Sequence, residues 1–217
     1  MFALHRRALL TAAAASAFLG RFRAFAATIG AKVTAVVNTV TALPKDGGEP
    51  APVAEGEDLP PETVVATASK SGAELTYADG TVLVIGQRSS ASLSTPDAQA
   101  VLTKGAFRFR GAAAASAMLA SPLLKIEARN AEFVVAVADG QTICGVTAGE
   151  ITCTSIKKGT AAKVGAGESI AWVSGSFGAG VTKGVFQTAD LAVDQGLDAA
   201  RAAWAPVAEP PPPPPPQ

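Results

Sequence analysis

Twice in this chain an Asp-Gly pair stands between runs in which polar and apolar residues alternate. One pair is Asp79-Gly80, within Gly72–Leu93; the other is Asp139-Gly140, within Glu132–Val146. Alternation of period two about a tight turn is the pattern of a half-buried β-hairpin, and it constrains the fold more than any other feature here. With Asp79 and Gly80 as the central residues of a two-residue primed turn, Tyr77 faces Val82 and Leu75 faces Val84. Around the second pair, Phe133, Val135 and Val137 share a face with Thr142, Cys144 and Val146. An Asp-Gly pair also occurs in calcium loops, but neither copy is followed by the acidic spacing such a loop requires.

Short runs of this kind, rich in Val, Thr, Ala and Gly, recur along residues 27–187. That is one domain's worth of chain, and the pattern predicts an all-β domain of short strands, either solenoid-like or a sandwich. Whether 130–155 forms a hairpin meander or successive solenoid coils stays open. Leu43–Glu62 interrupts the pattern with five prolines and six acidic residues, which predicts a solvated loop.

The two cysteines flank a second candidate turn at Ala148-Gly149. If that turn has two residues, Thr147 pairs with Glu150, Val146 with Ile151, and Cys144 with Cys153. The cysteines then fall on a non-hydrogen-bonded rung, about 4.5 Å apart at Cα, just within disulfide range. Ala-Gly is not a favoured primed-turn pair, so a looser loop and two buried free thiols remain as alternatives.

The ends of the chain have other compositions. Arg6 and Arg7 precede a 13-residue Ala-rich apolar run (residues 8–20), and the triplet Ala24-Phe25-Ala26 follows it. This is the layout of an export signal at residues 1–26, too short in its apolar part to span a bilayer, with cleavage between Ala26 and Ala27. The paired arginines favour the twin-arginine route, with the general secretory route as the alternative. All 18 acidic residues lie beyond this segment, whereas four of the 18 basic ones lie in it, so the mature chain has a net charge near −4. That argues against nucleic acid or an anionic membrane surface as partner. No other stretch reaches the apolar length of a membrane span, so none is expected after signal removal. Residues 188–205 read as a helix, capped by Thr188 and striped by Val193, Leu197, Ala200 and Trp204. Residues 206–217 are a Pro-rich tail, expected to be disordered, with an extended rod the only regular form open to it.

Residues 104–111, KGAFRFRG, alternate Phe107 and Phe109 with Arg108 and Arg110. Such a strand sends its rings to the core and its guanidinium groups outward, where they are solvated or dock an acidic partner. Catalysis is not expected. The mature chain has no His, neither Cys stands beside a base, and no nucleophile elbow, dinucleotide or phosphate loop is present. Cofactor and metal sites are likewise not expected.

Taken in order, these pieces resemble the FecR-type domain, the extracytoplasmic module of bacterial iron-transport regulators that also occurs in many exported proteins. Thr67, Ser71, Ala73, Leu75, Asp79, Gly80 and Thr81 match the family's lead. Gly105, Phe107, Arg108 and Phe109 match its Gly-Ala-Phe-Arg-Phe strand, and Arg129 and Phe133 fit its third segment. Tyr77 stands where the family usually has Phe, and Asn130-Ala131 where it has Gly-Thr. The match runs from about residue 29 to 174. The resemblance implies an all-β, solenoid-like stack and fixes no ligand. In the regulator, this domain senses an outer-membrane receptor and signals through a membrane helix to a sigma factor. With no second apolar span, the full anti-sigma role is not expected here. The expectation is a non-enzymatic periplasmic or secreted binding and signalling module whose partner is another envelope protein. The alternative is a structural envelope or surface component with the Pro-rich segment as spacer.

Overall fold

The alternating runs become strands. The fold is described from a computed structural model, for residues 30–95, 97–112 and 116–174, with residues 180–183 by backbone alone. These residues form fifteen strands in one sheet and no helix. In chain order they are β1 (Ala31–Val37), β2 (Val40–Leu43), β3 (Ala51–Pro52), β4 (Asp58–Leu59), β5 (Val64–Thr67), β6 (Gly72–Thr76), β7 (Val82–Ile85) and β8 (Ser90–Thr95). They continue with β9 (Ala98–Arg110), β10 (Ser116–Ala120), β11 (Leu124–Ala138), β12 (Gln141–Ser155), β13 (Ala161–Gly165), β14 (Glu168–Val173) and β15 (Gly180–Lys183).

The sheet doubles over on itself. Residues 105–110 of β9 pair with β7 and β11, whereas residues 98–104 pair with β8 and, in parallel, β10. In β12, residues 141–145 pair with β14 and residues 150–154 with β13. One layer therefore holds β1, β6, β7, the second halves of β9 and β11, the first half of β12, β14 and β15. The other holds β2, β5, β8, β10, β13 and the remaining halves. Six of the crossings between layers carry a residue of positive φ: Asn38, Lys70, Arg88, Gly105, Asn130 and Gly149. In the three continuous strands, the corner also switches which positions point inward. Ala98, Ala100 and Leu102 of β9 are buried, and then Phe107 and Phe109; in β12 the buried set changes from Thr142, Cys144 and Val146 to Ile151, Cys153 and Ser155. A bulge does this, because one extra residue reverses the side-chain alternation. Opposite Gly149, β11 has two residues, Asn130 and Ala131, between the pairs Arg129↔Glu150 and Glu132↔Ala148.

Hydroxyl groups hold the corners together. Thr67 Oγ1 donates to Gly86 O at 2.5 Å and accepts from the Ser89 amide at 3.0 Å. Ser89 Oγ accepts from the Ala106 amide (3.0 Å), and Ser71 Oγ from the Thr39 amide (3.1 Å). A Cβ on Gly105 would overlap Ser89, and one on Gly149 would lie 2.5 Å from Asn130 O, so both corners admit only glycine. Between the layers lies one apolar core, including Phe107, Phe109, Phe133, Leu75, Leu83, Leu119 and Ile126. Tyr77 Oη closes one end by donating to Gln99 O (2.9 Å), and Ser121 and Thr142 share a 3.2 Å hydroxyl contact elsewhere.

Three details differ from the expectations. The first Asp-Gly hairpin is offset by one residue: Leu75 pairs with Leu83 and Thr76 with Val82. Its loop has three residues, since the Tyr77 amide bonds Thr81 O, Gly80 N–H bonds Tyr77 O, and Gly80 alone takes φ 82°. This is a turn closed by a left-handed glycine, not the two-residue primed form. Ala148-Gly149 is a corner inside one strand and not a turn, so Thr147 does not pair with Glu150, nor Val146 with Ile151. Finally, the segment 43–62 is mostly exposed but contributes β3 and β4, and it sends Val53 and Leu59 into the core. The second Asp-Gly hairpin has the expected register, with Phe133↔Val146, Val135↔Cys144 and Val137↔Thr142.

Candidate docking face

The strand that carries Arg108 and Arg110 is central in its layer, flanked by β7 and β11. A partner strand therefore has no edge to join there, and recognition at this strand falls to its outward face. Phe107 and Phe109 point the other way into the core, where the Phe109 and Phe133 ring centroids stand 5.0 Å apart.

Register assigns the outward residues to rows. One row crosses β1, β6, β7, β9, β11 and β12 as Ala35, Glu74, Val84, Arg108, Val134 and Gly145. A second holds Thr76, Val82, Arg110 and Glu132. The arginines are engaged within the sheet. Arg110 Nη2 lies 3.1 Å from Glu74 Oε2, and Arg108 Nε lies 3.9 Å from Glu132 Oε1. Thr34 Oγ1 donates to the same Glu74 carboxylate at 3.1 Å. The face thus combines two cation–anion pairs with an apolar stripe, and Ala35 and Val84 form a small cluster of their own with Val37, Val82 and Ala106. The apolar half of this face escapes an alternation argument. Its sequence signals are the unbroken apolar runs 82–85 and 133–137, which mark strands covered on both sides.

The other expected residues are dispersed. Asp79 Oδ1 accepts from the Thr81 amide (2.9 Å), its Oδ2 from Gln99 Nε2 (3.2 Å), and Thr81 is buried behind them. These residues border an open cleft of about 530 Å³, with Tyr77, Ser94, Asp97, Gln99 and Met118 in its lining. Burial, and secondarily the charge of Asp79, push the Tyr77 hydroxyl pKa up. Arg129 is exposed on the second layer, opposite Glu150. Cys144 and Cys153 are both buried and present as free thiols. They share an inter-thiol hydrogen bond which, with burial, raises Cys144 well above its ordinary value. That holds it as a thiol, the form poor in nucleophilicity. Among the described residues no group of three His, Cys, Asp or Glu is placed to hold a metal ion. Among them, too, no helix is long and apolar enough to cross a membrane. Arg6, Arg7, Ala26, Ala27, the expected helix 188–205 and the Pro-rich tail lie outside the described residues.

A doubled sheet with hydroxyl-bonded corners, a continuous core and a mixed outward face makes this an all-β domain. Residues 63–152, less than half of the chain, match the family model described as FecR protein. No curated protein matches the chain. Two crystal structures of a candidate anti-sigma factor from Parabacteroides distasonis share its fold, each with a TM-score of 0.51, at 13% and 12% identity. Each alignment covers 58% of this chain and 62% of the other, so the match spans less than two thirds of those proteins.

Proposed function

We propose that this protein is a non-enzymatic binding and signalling module of the bacterial cell envelope, exported by its N-terminal segment and acting by contact with another envelope protein. The observation that carries the reading is the match of residues 63–152 to the FecR family model. The fold shared with a candidate anti-sigma factor supports a regulatory role. Within the domain, the outward face with Arg108 and Arg110 is the surface we assign to an acidic partner. Export through the twin-arginine route brings the chain to the periplasm or beyond, where Cys144 and Cys153 pass two electrons and two protons to a disulfide oxidant of that compartment and form a bridge. A structural envelope role is the second reading, favoured by the Pro-rich run from Ala208 to Gln217 as a spacer.

The test is chemical cross-linking of the tagged protein in intact cells, followed by purification and mass spectrometry. The proposal predicts one envelope protein in near-stoichiometric yield, lost in the Arg108→Glu, Arg110→Glu double variant. Recovery of peptidoglycan or of abundant surface proteins alone would favour the structural reading.

A further inference from the structure

Two facts about the outward face of the first layer belong together. Ala35, Val84 and Val134 point away from the core, yet each is 0% exposed. On the second layer, the outward residues Lys125, Glu127, Arg129 and Lys163 are exposed and charged. One outer face therefore holds fully buried apolar residues between its ion pairs, and the other is polar and open. A bare layer of this kind would leave these three apolar side chains in water beside the charged ones, so their complete burial calls for a cover.

We infer that the chain's own segment 188–204 docks on the outward face of the first layer, over the row from Ala35 to Gly145. Three observations select this segment. The described chain leaves the domain at β15, which lies beside β14 at the edge of that same layer, so the following residues start at the border of the face. Read as a helix, 188–204 is about 26 Å long, and β6 to β14 span five strand spacings, about 24 Å. Its chemistry is also complementary. Val193, Leu197, Ala200 and Trp204 supply an apolar stripe, and Asp190, Asp194 and Asp198, four residues apart, run along its flank toward Arg108 and Arg110. The segment has the character expected of the acidic partner proposed above. It therefore competes with that partner for the face, although its docking stands whether or not such a partner exists.

The test places a photoreactive benzoylphenylalanine at Val134 in the otherwise intact chain, with a second variant at the exposed, outward Ala171 should the first fail to fold. Irradiation followed by trypsin is expected to link the probe to the peptide 184–201 of the same molecule. The variant Arg108→Glu should lower that yield several-fold, and Asp194→Arg added to it should restore it. Cross-links between two copies, cross-links to another segment, or no cross-link at all would each overturn the assignment. None of these outcomes depends on the envelope-capture experiment, so the two proposals fail separately.

Discussion

Arg110 and Glu74 are paired across the outward side of the sheet, with Nη2 3.1 Å from Oε2 and the Glu74 residue only 8% exposed. A carboxylate in that position is held by its cation and by Thr34, so removing the arginine alone takes away the paired cation of a nearly buried charge. Arg110→Met should cost about 1–3 kcal/mol in urea denaturation. Adding Glu74→Gln should recover part of that loss. Simple additivity of the two variants would show that the pair is not coupled.

The corner at Gly105 makes a steeper prediction. Its φ of 101° and the close approach of Ser89 leave no room for a side chain. Gly105→Ala should cost about 3 kcal/mol or more, because strain and overlap add. Ser89→Ala should cost about 1–2 kcal/mol through the unsatisfied Ala106 amide. Both follow from midpoints at unchanged slope, and a near-neutral Gly105→Ala would contradict the corner geometry.

Asn130 occupies a left-handed corner position, φ 45°, where the resembling family has glycine. Asn tolerates that region better than other side chains, which explains the exchange. Asn130→Gly should be neutral or slightly stabilising, and Asn130→Val should cost about 1–3 kcal/mol. Equal effects from the two would contradict the assignment.

Tyr77 is the single tyrosine of the chain, so alkaline titration in the near ultraviolet reads it alone. Its pKa is raised by burial and then by Asp79. The neutral phenol is thus favoured by the fold, and its contribution is fully present below the unfolded pKa of about 10 and lost as pH rises above it. No phenolate should form near pH 10 until the protein unfolds, and stability should decline over the same range. An ordinary titration in the folded state would show that Tyr77 is not enclosed.

The sequence carried the fold class and the second hairpin because Asp139-Gly140 joins its strands through two residues, so alternation alone fixes the register. The first hairpin slipped by one because a three-residue loop and a two-residue loop share the same Asp-Gly signal. Gly149 was legible as a bend but not as a corner, since a left-handed glycine serves hairpin turns and bulges alike. Leu59 and Val53 were hidden in a Pro-rich, acidic context whose average masks two inward residues. The outward stripe of Val84 and Val134 was missed for a related reason. A test for alternation sees one buried face and has no term for a second.

Cys144 and Cys153 lie on one strand, but the corner at Ala148-Gly149 turns the chain so that their side chains meet across the core. Inter-sheet disulfides of this kind occur in β-sandwiches, and a short loop of this size is worth about 2–3 kcal/mol. The doubled sheet and the proposed export of the chain therefore meet in one observable, the oxidation state of these two residues in protein recovered from its native compartment. Intact-mass and peptide mapping under non-reducing, thiol-blocking conditions should find a single Cys144–Cys153 linkage, two hydrogens lighter than the dithiol, with reduction lowering the melting temperature. Two alkylatable thiols after unfolding, in protein taken from the envelope, would contradict it.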